Sequence, residues 1–323
     1  MQRRDFLQRV VLATGGLMLG NIFLPSDTLA KQKKNYYHIL LLSDLHLPWR
    51  EKKFPTRDEQ QKILENKFQL LARVNSWEDV DEAAILGDLV SRYGWEEEFL
   101  WADRYLNDLR MPWYAVAGNH DYAYVNATNH PGKLKRGTYA EKRAKLLAFT
   151  RRYHLPGICY ARSIGKYRLL YLAPDACSDC NVELSTQQLS WLEGEISTHR
   201  TAPLLFFCHA PLLGTLRNYS KKINTPSTTA QPADKLSDIL ANCPKGSLWL
   251  SGHTHTSASD PSFADDSTNR FNENLVNIHN PAMDTHHICT NSLYLYADKI
   301  VVRTYDHKKE QWLEKLERVY RNS

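Results

Sequence analysis

The sequence predicts an α/β layered fold, and three observations support this prediction. Five short runs are apolar on both faces, which is typical of buried strands. Stretches with helical apolar periodicity lie between several of these runs, and such alternation indicates an α/β layered arrangement. Each apolar run ends in a cluster of Asp, His, Asn or Gly. Ligands of open α/β sheets bind beyond the carboxyl ends of the strands, so we expect the active site at that edge.

The predicted strands and their polar ends follow one another along the chain. The strands are expected at residues 37–42, 82–86, 113–117, 204–208 and 247–250. They end, in the same order, at Asp44, at Gly87-Asp88, at Gly118-Asn119-His120-Asp121, at His209 and at Gly252-His253-Thr254-His255. No internal repeat interrupts this series, which favours one domain with elaborations over two domains.

Helices are predicted between these strands and at the end of the chain. Apolar residues recur at helical spacing in 57–74 and 95–109. The segment 185–197 opens with Ser185-Thr186-Gln187-Gln188, a capping-box pattern. The tail differs, because 292–296 and 299–305 flank the turn residues Ala297-Asp298 and predict a hairpin. A closing helix is expected at 309–320.

Residues 1–30 are predicted to be an export signal that does not belong to the fold. Arg3 and Arg4 precede Phe6-Leu7 and resemble a twin-arginine signal. The modest apolar run 10–24 and a cleavage site with small residues, Thr28-Leu29-Ala30, complete this pattern. An uncleaved membrane anchor and an unremarkable basic terminus are the alternatives, but the run is short for a membrane span. We therefore expect transport by the twin-arginine translocase and a periplasmic mature domain, residues 31–323, without a permanent membrane span.

Composition and charge exclude some classes of protein. The hydrophobic fraction of 42% and charged fraction of 24% are ordinary for a soluble globular protein. The net charge of +5 is mild and acidic residues are interspersed, so we expect no stable nucleic-acid partner. An anionic small-molecule substrate is compatible with this charge.

Several features outside the clusters have open interpretations. Cys177 and Cys180 form a C-x-x-C in a polar loop, which favours a local disulfide or two spectator thiols over a redox or zinc site. The segment 122–160 is rich in Lys and Arg, and a solvated loop with a surface helix is favoured over a basic lid. Three histidines follow the clusters, and surface positions are favoured over a third metal or a substrate contact; they are His279, His286 and His287.

The five clusters contain the side chains that hydrolysis of phosphate esters needs. Two divalent metals ~3.5–4 Å apart can neutralise phosphate charge and supply hydroxide at neutral pH. Such a site needs a bridging carboxylate and further nitrogen and oxygen ligands. Asp44-x-His46 and Gly87-Asp88 are weak patterns alone, whereas Gly118-Asn119-His120-Asp121 and Gly252-His253-x-His255 are more specific.

The order D-x-H, G-D, G-N-H-D, H and G-H-x-H resembles the calcineurin-like metallophosphoesterases, from about Asp44 to His255. This resemblance implies a layered β-sandwich flanked by helices and a metal-dependent phosphoesterase. It implies that the first metal is bound by Asp44, His46, Asp88 and His255. It implies that the second metal is bound by Asp88, Asn119, His209 and His253, with Asp88 bridging. The metals would be Mn, Fe or Zn.

The resemblance also implies catalytic roles. A hydroxide held between the metals would attack phosphorus in line with the leaving oxygen. His120 would stabilise the phosphoryl oxygens or protonate the leaving group, and Asp121 would hold the ring orientation of His120. Because every candidate ligand and His120 is present, a non-catalytic binding module is a remote alternative.

Finer features favour a phosphodiesterase. Purple acid phosphatases have a Tyr three residues after the G-D aspartate, where this chain has Ser91. The segments 168–172 and 185–192 resemble the branch with cyclic-nucleotide and glycerophosphodiester phosphodiesterases, although the loop 173–183 departs from it. No dedicated phosphate-binding Arg or Lys stands beside a cluster. Arg92 is the nearest candidate, and a lid residue such as Arg136 that folds over the site is the other. The alternative is a phosphomonoesterase, acid phosphatase-like or nucleotidase-like.

Overall fold

Two sheets face each other in the computed structural model, which describes residues 34–126, 133–217 and 222–321. The strands are β1 (Tyr36–Leu42), β2 (Glu82–Ile85), β3 (Trp113–Ala115), β4 (Tyr124–Asn126), β5 (Leu134–Arg136), β6 (Tyr160–Ile164), β7 (Tyr167–Leu172), β8 (Leu204–Cys208), β9 (Ser247–Ser251), β10 (Leu275–His279), β11 (Cys289–Tyr296), β12 (Lys299–Asp306), β13 (Gln311–Trp312) and β14 (Arg318–Arg321). The helices are α1 (Arg57–Val74), α2 (Glu96–Asn107), α3 (Asn119–Tyr122), α4 (Tyr139–Arg152), α5 (Thr186–Thr198), α6 (Ala233–Leu240) and α7 (Asp266–Asn269). The predicted export signal lies outside the described residues. In the described part of the chain, no helix has the length and apolar character that a membrane crossing requires.

The first sheet has the strand order β13-β12-β11-β1-β2-β3, with β14 also paired to β12. The second sheet has the order β10-β9-β8-β7-β6. Strands β1, β2 and β3 are parallel, and so are β7, β8, β9 and β10. The five predicted strands are therefore β1, β2, β3, β8 and β9, and the predicted layered β-sandwich flanked by helices is confirmed.

Three apolar cores hold the layers together. Along β1, Ile39 and Leu41 pack between the two sheets, whereas Leu40 and Leu42 face a second core. That second core is shared with α1, α2 and α4, and a third core packs the outer face of the second sheet against α5 and α6. Because side chains alternate along a strand, runs that are apolar on both faces serve two cores at once.

Local sequence signals explain where the helices begin. At α1, Thr56 accepts a hydrogen bond from the N–H of Glu59, and the carboxylate of Glu59 accepts one from the N–H of Thr56. At α5, Oγ of Ser185 accepts from the N–H of Gln188, as the sequence predicts. The second bond of that capping box does not form, because the N–H of Ser185 donates to Oδ1 of Asp175 and Oε1 of Gln188 accepts from the N–H of Ala173 instead.

The prediction of a closing helix at 309–320 is wrong. This segment forms β13, a 3₁₀ turn at Glu314–Leu316, and β14, which pairs antiparallel with β12. The open edge of β12 offers unpaired backbone groups that this segment satisfies. The Arg318 side chain is buried and donates to Asn291 and Thr304 of the same sheet. The predicted hairpin is confirmed as β11 and β12.

The basic segment 122–160 forms the β4–β5 pair and α4, and some of its cations are structural. Lys142 is 2% exposed and donates to the carbonyls of Cys177 and Ser178. Lys145 donates to the Tyr124 carbonyl at 2.6 Å. The surface helix is therefore present, but these two lysines anchor neighbouring loops instead of facing solvent. All six cysteines are free thiols in this structure, Cys177 and Cys180 included.

Candidate metal centre

The loops that follow the parallel strands meet at one edge of the sandwich. The N–H of Asp44 donates to the Gly87 carbonyl at 3.1 Å, and the N–H of His46 donates to the Asp88 carbonyl at 2.9 Å. Across the two sheets, the N–H of His253 donates to Oδ2 of Asp44 at 3.0 Å. These bonds fix loops from both sheets against each other, so the predicted polar clusters form one site.

The backbone at this edge is strained. Nine non-glycine residues of the described chain have positive φ, and five of them are predicted metal ligands. These five are Asp44, His46, Asp88, His253 and His255. Left-handed backbone costs free energy for such residues and persists only where surrounding structure imposes it, most often at functional sites.

Two glycines allow the loops to approach closely. Gly87 has φ of +87°, and a Cβ there would lie 2.6 Å from the backbone N of Gly118. A Cβ on Gly118 would lie 2.3 Å from the backbone N of Asp88. Any side chain at either position would therefore push apart the loops that carry Asp88 and Asn119.

The predicted ligands lie in two adjoining groups. In the first, Nε2 of His255 lies 3.1 Å from Oδ1 of Asp44 and 3.2 Å from Nε2 of His46. In the second, Nε2 of His209 lies 3.2 Å from Oδ2 of Asp88 and 3.2 Å from Oδ1 of Asn119.

Asp88 connects the two groups. Its Oδ2 also lies 3.7 Å from Nε2 of His46 in the first group. The seventh predicted ligand, His253, places Nδ1 3.1 Å from Nε2 of His209. All seven predicted ligands are thus brought together.

This donor set fits divalent cations. Oδ1 of Asp44 is buried and accepts no hydrogen bond within the described chain. Burial holds the pKa of His46 well below its usual value, and burial together with His209 lowers the pKa of His253 to about 4. These rings are therefore neutral and have lone pairs to donate. Burial alone would lower the pKa of His209, but Asp88 raises it to about 9.

Backbone carbonyls set the orientation of the histidines. Nδ1 of His209 lies 2.7 Å from the Leu86 carbonyl, and Nε2 of His253 lies 2.9 Å from the Ser227 carbonyl. A ring N–H that donates to a carbonyl directs the opposite nitrogen towards the other ligands, where a metal binds it in place of a proton. The sequence contains no signal for these carbonyl partners, because the loop path decides which one a ring reaches.

Comparison with known proteins identifies the family of this chain. The family model described as calcineurin-like phosphoesterase matches residues 37–257. The chain belongs to the calcineurin-like phosphoesterase family. The resemblance stated from the sequence is therefore confirmed. No protein of curated function matches the sequence significantly.

Solved structures with this fold include a purple acid phosphatase and PhoD. The purple acid phosphatase PPD1 from yellow lupin (Lupinus luteus) seeds is 11% identical, with a TM-score of 0.56 over 89% of this chain and 54% of that chain. PhoD is also 11% identical, with a TM-score of 0.54 over 90% of this chain and 72% of that chain. The chain thus spans about half of the lupin protein, and these likenesses show the fold alone.

In this calcineurin-like phosphoesterase, the His120 ring stands beside the ligand groups. It packs edge-on against His46, with ring centroids 4.9 Å apart, and against Tyr124 at 5.2 Å. Its Nδ1 is buried and has no hydrogen-bond partner in the described chain. The ring borders a cavity of about 390 Å³. Burial lowers the pKa of His120, although the nearby Asp88 opposes this effect.

The expectation that Asp121 orients the His120 ring is wrong. Oδ1 of Asp121 accepts from the N–H of Val90 at 3.1 Å, and Oδ2 accepts from the N–H of Gly118 at 2.8 Å. Asp121 is the third residue of the short helix α3, so its carboxylate turns back to the helix start. Burial and Asp88 raise the pKa of Asp121 to about 8. Its contacts fasten the two loops that carry Asp88 and Asn119.

The sequence analysis missed one cation beside the site. Nη2 of Arg50 lies 3.2 Å from Nδ1 of His255, and its Nε donates to Oδ2 of Asp284 at 2.5 Å. Arg50 borders the same cavity as His120, together with Lys53 and Arg92. Its position four residues after His46 was the available signal. The expectation that no Arg or Lys suited to phosphate stands beside a cluster is therefore wrong.

The three later histidines do not join the seven ligands. His279 is 1% exposed, and its Nε2 lies 2.9 Å from the Thr215 carbonyl. It is a buried residue, so the interpretation as a surface histidine is wrong for it. The His286 ring packs edge-on against Phe54 at 5.4 Å. Nε2 of His287 lies 2.7 Å from Oδ1 of Asp306.

Proposed function

We propose that this protein is an exported phosphoesterase that hydrolyses phosphate esters with two divalent metal ions. Family membership supports metal-dependent hydrolysis of phosphate esters. The observation that carries the two-metal proposal is the position of Asp88 between two donor groups, 3.2 Å from His209 and 3.7 Å from His46. Two cations bound there would neutralise phosphate charge and acidify a water molecule. We propose Mn, Fe or Zn, since mixed nitrogen and oxygen ligands suit all three.

The chain's own residues would hold the substrate and move a proton. His120 stands at the cavity with its ring supported by His46 and Tyr124, so it can contact the phosphoryl group or the leaving oxygen. A protonated imidazole there would donate its proton to the departing alkoxide. Asp121 would act through the backbone, by holding the loops that carry Asp88 and Asn119 in register.

Phosphate diesters are the substrates that the sequence favours. The proposal rests on the segments 168–172 and 185–192 and on Ser91 in place of a tyrosine. Ser91 is buried and donates to Oε1 of Glu98 at 2.7 Å, which supports a structural role for this position.

Phosphate monoesters are the second candidate, because the structure adds Arg50 to the site. A monoester dianion carries more negative charge than a diester, and an arginine fork is suited to phosphate oxygens. Arg50 is partly neutralised by Asp284, but Lys53 and Lys67 also contact that aspartate. The side of the site that Arg50 lines therefore carries more positive than negative charge.

A metal-reconstitution experiment tests the proposed function. Purified protein would be stripped with a chelator, reloaded with Mn, Fe or Zn in turn, and assayed on bis-(4-nitrophenyl) phosphate and 4-nitrophenyl phosphate. We expect activity only after reloading, with about two ions bound at the candidate metal centre. Full activity of the stripped protein would refute the proposal. The ratio of kcat/KM for the two esters decides between diester and monoester.

A further inference from the structure

A second group of metal-ligating side chains lies on the β11–β12 hairpin. His287, Cys289 and Asp306 each offer one ligand atom, and these atoms lie within 4.8 Å of one another. Cys289 and Asp306 are directly opposite in the antiparallel pair. His287 lies in the loop that leads into β11, two residues before Cys289. None of the three belongs to the candidate metal centre.

The Asp306 carboxylate is held in place through one of its oxygens. Oδ1 accepts from the N–H groups of Lys308 and Lys309, each at 3.0 Å, and lies 2.7 Å from Nε2 of His287. Oδ2 lies 4.0 Å from Nζ of Lys309, whose side chain is 60% exposed and able to move away. Such outer hydrogen bonds are the usual support of a metal-binding carboxylate.

Cys289 and His287 add a soft sulfur ligand and a nitrogen ligand to the hard carboxylate oxygen of Asp306. Cys289 is 6% exposed, and burial together with Asp306 raises the pKa of its thiol to about 12. The thiol is therefore protonated until a cation displaces the proton. His287 is 46% exposed and forms the solvent side of the group. Thiolate, imidazole and carboxylate are the ligands that Zn²⁺ takes in proteins, with four positions in total.

We propose that His287, Cys289 and Asp306 form a mononuclear Zn²⁺ site that is distinct from the phosphoesterase centre. Binding would release the thiol proton of Cys289 to solvent, the neutral His287 ring would bind through its nitrogen that carries no proton, and water would fill the fourth position. The cation would join the start of β11 to the end of β12. Asp284, which pairs with Arg50, lies three residues before His287, so the same segment reaches the phosphoesterase centre.

The alternative is a surface His–Asp ion pair beside a buried thiol, and cobalt distinguishes the two. Co²⁺ bound to a thiolate gives a charge-transfer absorption in the near ultraviolet, and the phosphoesterase centre contains no cysteine. Metal-stripped protein would be titrated with Co²⁺. We expect this band in the wild type and its loss in Cys289→Ser. Cys159→Ser is the matched control, because Cys159 is a partly buried thiol outside the group, and should keep the band.

A second pair of variants protects the test from misfolding of Cys289→Ser. His287 is exposed, so His287→Ala should fold, and we expect it to bind one Zn²⁺ fewer per chain or with an affinity at least ~10-fold weaker. His286→Ala removes the neighbouring histidine and should bind like the wild type. Competition with a chromophoric chelator measures both. Absence of the cobalt band at saturation, its persistence in Cys289→Ser, or unchanged Zn²⁺ binding by His287→Ala would overturn the proposal.

Discussion

The backbone N–H of His120 donates a hydrogen bond of 2.8 Å to Oδ1 of Asp88. The proposed bridging carboxylate and the proposed general acid are thus joined directly. Oδ2 of Asp88 remains directed at His209 and His46. The same carboxylate therefore positions the catalytic ring through one oxygen and meets both donor groups through the other.

Replacement of Asp88 should abolish metal binding and turnover together. Asp88→Asn keeps the size of the side chain and an oxygen for the N–H of His120, but removes the charge shared by both groups. We expect metal analysis to find fewer ions per chain in the variant than in the wild type. Asp238→Asn, in the surface helix α6 away from the site, is the control. A variant with full metal content and full activity would exclude a bridging role.

Replacement of His120 should separate binding from chemistry. His120→Asn removes the ring but leaves the backbone N–H that bonds to Asp88. We expect unchanged metal content and a rate reduced ~10²–10⁴-fold, as for a lost general acid. The loss should be larger for an alkyl ester than for a 4-nitrophenyl ester, because the poorer leaving group needs the proton more. Equal losses on both esters would contradict proton donation.

Most of the site could be predicted because each ligand directly follows a buried strand. An apolar run ending at Asp44 or His209 predicts both the strand and its edge, and parallel strands bring such edges together. Contacts between residues that are far apart in the sequence were not predictable. The tail around Arg318 pairs with β12 although its spacing also suits a helix. Arg50 reaches His255 through a loop whose path no local pattern determines.

His279 should make the fold sensitive to acid. Burial lowers its pKa from 6.5 to about 4, with Arg318 adding to this effect and Asp260 opposing it. Between these values the unfolded chain binds a proton that the folded chain does not. Its contribution to stability is therefore complete above pH 6.5 and decreases as the pH falls towards 4. The decrease should approach about 1.4 kcal/mol per pH unit.

A variant without the titrating ring isolates this contribution. His279→Gln keeps a donor for the Thr215 carbonyl but does not titrate. The difference in free energy of unfolding between wild type and variant should therefore shrink as the pH falls from 7 to 4.5. Urea unfolding of metal-stripped protein at several pH values measures it. The buried His307, whose pKa is lowered to about 3, titrates in the same direction and cancels in the difference. His199→Gln, at a partly exposed position, is the control. A constant difference would show that His279 does not titrate as expected.

Export should depend on the paired arginines. Arg3→Lys combined with Arg4→Lys preserves charge but removes the paired guanidinium groups of the proposed signal. We expect the precursor to remain in the cytoplasm, whereas the wild-type mature protein should begin near Lys31. Arg9→Lys alters a third arginine of the same segment and should be exported normally. Fractionation with N-terminal sequencing checks this, and normal delivery in a strain without the twin-arginine translocase would refute it.

Arg50 should decide how well the enzyme accepts a monoester. Its guanidinium lies at the His255 ring and borders the cavity of His120, so it can meet a phosphate oxygen that the metals leave uncompensated. A hydrogen bond between charged groups contributes about 1.5–3 kcal/mol, so Arg50→Ala should lower kcat/KM for 4-nitrophenyl phosphate by tenfold or more. The diester, with a single negative charge, should lose less.

Two further variants separate charge from geometry at this position. Arg50→Lys keeps the charge but loses the fork, so it should recover part of the monoester activity. Lys52→Ala removes an exposed cation that borders the same cavity and should leave the ester ratio unchanged. Each variant must have the metal content of the wild type. Arg50 contacts the ring of His255, a proposed metal ligand, so a loss of metal would lower activity on both esters. Equal losses on both esters would assign Arg50 to support of His255 and Asp284. A selective loss on the monoester would place a substrate oxygen at the guanidinium.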